Sequence, residues 1–139
     1  MLADIDIRKL LPQREPILVV DCLMEAGEGR AVTSFTVPEG LVFLEDDGTM
    51  AEVGLMENIA QSASALAGYA ALLRGAEVPP VGYIGEIKRF QCLSCPHVGE
   101  TLETTVTFGA EVGGVSIVDG EVRVGEMVIA RTKMKIFVA

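Results

Sequence analysis

Glu57 is the one charged side chain between residues 53 and 73, a stretch that otherwise holds apolar and small polar residues. A carboxylate in the middle of a buried helix costs on the order of several kcal/mol if left unpaired, because it gives up its hydration. It is therefore expected to be protonated or to hold a polar partner. Gln61 lies four residues on, one helical turn away on the same face and within hydrogen-bond reach. Asn58 is adjacent, and Ser64, seven residues on, continues the stripe. A carboxyl set in an apolar cleft suits general acid–base catalysis. The plainer alternative is a glutamate at a subunit interface paired with an arginine. The residues alone leave both open.

Other reactive groups give weaker signals. Cys92-Leu93-Ser94-Cys95 is a Cys-x-x-Cys, with His97 nearby. Zinc takes four ligands, and the remaining cysteine, Cys22, is distant in sequence. Residues three apart on a strand also point to opposite faces. No metal site and no cofactor are expected. His97 reads as an exposed loop histidine. Glu45, Asp46 and Asp47 read as a solvated acidic loop ahead of a helix N-terminus, where negative charge is favourable. Lys88, Arg89, Arg131, Lys133 and Lys135 are candidates for a local basic patch that would receive an acidic partner, or are ordinary strand-surface charge.

The elements that position these groups follow from periodicity. Residues 4–11 predict a short helix capped by Asp4 or Asp6 and stopped by Pro12. Residues 17–25 and 30–37 predict two strands joined by a turn at 26–29. Thr49-Met50-Ala51-Glu52 has the capping-box form, so a helix is expected from about Met50 to Leu73, ended by Gly75 and Pro79-Pro80. Four strands are predicted after it, over residues 81–93, Thr101–Val112, Val115–Val124 and Met127–Val138, the first with a bulge near its end and the second and third joined at Gly113-Gly114. One long helix with so thin a polar face must be surrounded by protein, either by a sheet that wraps it or by a second subunit. Gly68 within it is expected to mark close backbone approach, with a partner helix as one candidate.

Composition sets outer limits. The 139 residues fit one domain spanning 1–139, and half of them are hydrophobic, enough for a core. Twenty acidic against eleven basic residues give a net charge of −9, which argues against nucleic acid and against an anionic membrane surface. Three cysteines and an N-terminal stretch without a signal-peptide pattern give a cytoplasmic expectation.

Three segments together resemble the 3-hydroxyacyl-acyl-carrier-protein dehydratases. Leu11-Pro12-Gln13-Arg14-Glu15-Pro16-Ile17-Leu18-Val19-Val20-Asp21 is similar to their Leu-Pro-His-Arg-x-Pro opening. Met56-Glu57-Asn58-Ile59-Ala60-Gln61 resembles their central-helix motif, an acid followed four residues later by Gln. Gly82-Tyr83-Ile84-Gly85-Glu86-Ile87-Lys88-Arg89-Phe90 and Val98-Gly99-Glu100-Thr101-Leu102 resemble the strands that follow. The acidic loop before the helix is closer to the dehydratases of aryl-polyene and flexirubin-type pathways than to those of housekeeping fatty-acid synthesis. The resemblance implies an α+β hotdog fold, a curved antiparallel sheet wrapped around one long helix. It also implies a homodimer or higher even oligomer, with acyl chains on a carrier protein or coenzyme A entering at the subunit interface. A histidine of one subunit would remove the proton beside the thioester, and the helix acid of the other would protonate the departing hydroxyl. Glu57 inherits the acid role, Gln61 and Asn58 its support, and Gly54, Gly85, Lys88 and Arg89 are the implied substrate-binding positions.

The chain departs from that pattern at the base. The family histidine lies in the loop before the helix, which here reads Gly40-Leu41-Val42-Phe43-Leu44-Glu45-Asp46-Asp47-Gly48. Gln13 replaces the histidine of the opening motif, a position that is not the catalytic one. The family's helix-start glycine falls at Glu52, which leaves Gly54 as the candidate for its backbone N–H. Three expectations follow. The chain is a dehydratase-like enzyme with Glu57 as acid, or a non-catalytic subunit paired in a heteromer with a complete dehydratase, or a thioester hydrolase in which one glutamate activates water.

Overall fold

The computed structural model describes residues 1–138; Ala139, the last residue of the expected span 1–139, and the side chain of Val138 lie outside the described residues. The strands are β1 (Cys22–Gly27), β2 (Arg30–Thr36), β3 (Gly82–Cys92), β4 (Thr101–Val112), β5 (Val115–Val124) and β6 (Met127–Val138). They form one antiparallel sheet in the order β1-β2-β4-β5-β6-β3. The single helix α1 (Glu52–Leu73) packs against all six. This is the hotdog arrangement anticipated from sequence.

Alternation decides which face of the sheet meets the helix. Leu102 and Val106 of β4, Val118 and Val122 of β5, and Ala130 and Met134 of β6 are all fully buried, and they meet Leu55, Ile59 and Ala63 of α1. Each fully buried Leu or Ile contributes about 1.5–3 kcal/mol relative to exposure. Gly120, between Val118 and Val122, shares this inner face, where a Cβ would stand 2.3 Å from Ile59 Cγ2. The helix ends as the sequence indicates. Gly75 adopts φ +86°, its N–H donates to the Leu72 carbonyl, and the Ala76 N–H donates to the Ala71 carbonyl, a Schellman closure.

Several local expectations are corrected. Residues 4–11 are not a helix but two 3-10 turns, Leu2–Asp4 and Ile7–Lys9; Asp6 does cap the second, accepting the Arg8 N–H at 2.9 Å. Leu10 and Leu11 behind it are fully buried, so tertiary anchoring overrides the helical reading. The first strand begins at Cys22 rather than at residue 17, because the preceding residues bond to helix side chains instead of to a strand. The capping box does not form. Ala51 is the N-cap, and the Thr49 hydroxyl donates to Asp47 Oδ1 at 2.6 Å. Thr49 and Met50 are held by backbone pairing instead: Thr49 bridges to His97, and the Met50 N–H reaches the Pro96 carbonyl. Gly68 does mark a close approach, but the neighbour is the chain's own Leu10, whose carbonyl oxygen would lie 1.9 Å from an added Cβ. The bulge near the end of β3 is present, between Lys88 and Gln91, with Arg89 at φ +51°. Among the described residues no helix is long and apolar enough to cross a membrane.

Candidate active site

Glu57 sits half-buried on α1, and Gln61 Nε2 donates to its Oε2 at 2.8 Å. The Gln61 amide has no freedom to turn. Its Oε1 accepts the Val19 N–H at 2.8 Å, and its Nε2 also donates to the Ile17 carbonyl at 3.0 Å. With the oxygen end committed to an N–H, the end facing Glu57 must be the NH2 group. Glu57 Oε2 is thereby fixed as an acceptor.

Asn58 faces the other way. It is fully buried, its Nδ2 donates to the Val19 carbonyl at 2.8 Å, and its Oδ1 accepts the Thr104 hydroxyl at 2.6 Å. Gln61 and Asn58 together satisfy both backbone groups of Val19, so two helix side chains do the work of a neighbouring strand. Asn58 thus fixes the helix to the segment before β1 and to β4, and it does not line the cleft beside Glu57.

That cleft has a volume of about 200 Å³ and opens between α1 and the start of β3. Besides Glu57 and Gln61 it is lined by Gln13, Ser64, Tyr83 and Ile84, with Gly82 beneath. A Cβ at Gly82 would lie 2.6 Å from the Ser64 hydroxyl oxygen, which would have to turn away. None of the lining residues is Lys, Arg or His. Sequence reasoning placed Glu57 and Gln61, and set Ser64 on their stripe, but missed Gln13 and Tyr83 as parts of the site. Both come from segments far from the helix in sequence, and no local period announces such a meeting.

The implied substrate-binding positions lie elsewhere. Gly54 is packed under Phe43, whose Cβ would be 2.8 Å from an added Cβ, and its N–H already donates to the Ala51 carbonyl at 2.9 Å. It therefore offers no free N–H to a thioester. Gly85 faces the Phe137 ring and lines a separate groove with Ile117 and Val115. Lys88 is exposed, 4.0 Å from Glu86, and Arg89 borders a polar cleft on the outer face of the sheet. The expected basic patch is largely neutralised. Arg131 lies 3.5 Å from Glu121, Lys133 lies 3.3 Å from Asp119, and Lys135 lies 3.3 Å from Glu86.

The remaining reactive groups stand apart from Glu57. Glu45, Asp46 and Asp47 are exposed, and hydrogen bonds from the Thr49 hydroxyl and N–H hold the Asp47 carboxyl below its ordinary range. The His97 imidazole is 64% exposed, with Nδ1 3.5 Å from Glu100. Its backbone bridge to Thr49 places it beside the segment entering the helix. Cys92 and Cys95 do not point to opposite faces. The strand ends at Cys92, and the turn after it returns Cys95 to a sulfur separation of 3.7 Å. Burial first, then the hydrogen bond and charge of Cys95, push the Cys92 thiol up to about 11. Among the described residues no three His, Cys, Asp or Glu side chains converge to hold a metal ion.

Comparison with known proteins agrees with the fold. The model of the ApeP-like family, ApeP dehydratase, matches residues 5–139. No curated protein matches the chain in sequence. Among solved structures, the dehydratase heterocomplex ApeI:P from Xenorhabdus doucetiae superposes with a TM-score of 0.87 at 16% identity, over 97% of this chain and 91% of that one. A hypothetical thioesterase with coenzyme A from Streptococcus pneumoniae gives 0.67 at 12% identity, over 84% of each chain. The PaaI protein of Escherichia coli gives 0.63 at 17% identity, over 83% of this chain and 80% of its own. At these identities the likeness is one of fold.

Proposed function

We propose, from the premise that the chain belongs to the ApeP-like dehydratase family, that it binds acyl thioesters at the Glu57 cleft and serves in the dehydration of 3-hydroxyacyl thioesters. The observation that carries this reading is the Glu57–Gln61 pair at the mouth of a cleft. One carboxylate oxygen is committed to an amide donor, and the other is left to hold a proton toward the ligand. Elimination of water needs a group to remove a proton from C2 and a group to protonate the C3 hydroxyl as its C–O bond breaks. Glu57 supplies the second. The acyl carrier is a carrier protein or coenzyme A.

The first group is supplied by another subunit. No basic side chain lines the cleft, which opens beside β3, an edge strand exposed along most of its length. That the X. doucetiae neighbour is a heterocomplex supports a heteromer with a second dehydratase subunit over a self-sufficient homodimer. The deciding assay uses 3-hydroxyacyl thioesters with this chain alone and mixed with a dehydratase of the same source. Enoyl product is expected in the mixture, and Glu57→Gln is expected to lower that rate by about 100-fold or more. An unchanged rate overturns the acid role. Free thiol release without enoyl product would establish hydrolysis instead.

A further inference from the structure

We propose that Gln13 is the receptor for the substrate's C3 hydroxyl, the group that lets the cleft tell a 3-hydroxyacyl thioester from its other forms. This rests on the thioester reading above.

Gln13 Oε1 is the buried side-chain oxygen that finds no hydrogen-bond partner among the described residues. It belongs to a residue lining the Glu57 cleft. A buried acceptor with no donor is an expense that folded proteins rarely keep without a use for it. The segment around it is held by other groups. The Arg14 guanidinium already secures the local backbone, donating to the Leu11 and Gln13 carbonyls at 2.8 Å and to the Arg8 carbonyl at 3.3 Å. Leu10 and Leu11 anchor the segment in the core. Gln61 already spends its oxygen on the Val19 N–H.

An orphan acceptor is satisfied by a ligand that brings a donor. At its reacting end an acyl thioester carries only acceptors, the carbonyl oxygen and the sulfur. The C3 hydroxyl of the substrate is the donor that a 3-hydroxyacyl thioester adds, and neither the saturated, the 3-oxo nor the 2-enoyl form possesses one. The hydroxyl O–H then donates to Gln13 Oε1 while its oxygen accepts the proton held on Glu57 Oε1. When the C3–O bond breaks, the electron pair leaves with oxygen, which takes the Glu57 proton, and the hydrogen facing Gln13 departs with the water. The enoyl product has nothing to give Gln13, which favours its release.

The test is calorimetric titration of the purified chain with saturated, 3-oxo and 3-hydroxy acyl thioesters of one chain length. The wild type is expected to bind the 3-hydroxy form about tenfold more tightly than the other two, the loss typical of one unpaired buried acceptor. Gln13→Met, similar in length and without the acceptor, is expected to bind all three within about threefold, with thermal unfolding confirming the fold. A preference retained in Gln13→Met overturns the role of Gln13 and leaves thioester binding intact. Equal affinities in the wild type overturn it without any variant. Absence of binding for all three, both to the chain alone and to its complex with the dehydratase partner, overturns the thioester reading and this inference with it.

Discussion

At the scale of single residues, the site is a problem of shared hydrogen bonds. Gln61 serves three partners at once: Glu57, the Val19 N–H and the Ile17 carbonyl. Gln61→Leu leaves two backbone groups unpaired in a buried setting, and its unfolding free energy is expected to fall by about 2–4 kcal/mol. Urea unfolding checks this, and a loss below about 1 kcal/mol would mean that the clamp on the 17–19 segment is carried elsewhere. The pairing of Glu57 and Gln61 was legible because it is one helical turn long. The opposed orientation of Asn58 was not, since adjacency in sequence does not say which way a helical side chain turns. A second residue-scale expectation concerns Cys92. Only the thiolate is nucleophilic, and a thiol raised from 9.0 to about 11 holds less thiolate at every pH below that value. Alkylation of Cys92 by iodoacetamide at pH 8 is expected to be at least about tenfold slower in the folded than in the urea-unfolded protein, and to accelerate as pH climbs toward 11. Peptide mass mapping separates Cys92 from Cys22 and Cys95. Equal rates in the two states would contradict the shielding.

At the scale of elements, periodicity and turn chemistry were readable where local physics is unopposed. The alternation of β4, the Gly113-Gly114 hairpin and the Gly75 stop all appear where sequence puts them. Local signals failed where a distant group offered something better. The Thr49 hydroxyl had the right spacing for a capping box, yet Asp47 is nearer and charged, and strand-like pairing with His97 already fixes the backbone. The segment at residues 17–20 is apolar enough for a strand, yet Gln61 and Asn58 take its polar groups. Gly68 is the sharpest case of element packing. The Leu10 carbonyl would stand 1.9 Å from an added Cβ, and it is backbone, so it cannot rotate away. Gly68→Ala is good for helix propensity by about 1 kcal/mol but must push the N-terminal segment off the helix, so a net loss of about 2–3 kcal/mol is expected. Chemical denaturation measures it, and a stabilised variant would show that this contact yields.

At the scale of the whole molecule, the two edges of the sheet are managed differently, and the difference marks where the second subunit of the proposed function would dock. β1 is six residues long, is bulged between Leu23 and Glu25, and is packed by the Leu2–Asp4 turn. β3 is eleven residues long, and Tyr83 is 58% and Ile84 38% exposed along it. A long, open, partly apolar edge is a template for another strand, and proteins that leave one uncovered aggregate unless a partner takes it. The long helix adds to the argument. Its sequence looked apolar all round, and the sheet covers only part of it, leaving Met56, Glu57, Leu66 and Tyr69 half-exposed on the remainder. Edge and helix flank the same cleft, so a subunit docked on β3 would roof the site and bring the missing base to it. Ile84→Lys puts a charge at that edge while leaving the core behind it intact. By sedimentation with its dehydratase partner the wild type is expected to run as a complex well above 14.8 kDa, and the variant as the free 14.8 kDa chain. A variant that keeps the wild-type mass would place the interface on another surface, and Glu57 would then have to find its base without help from β3.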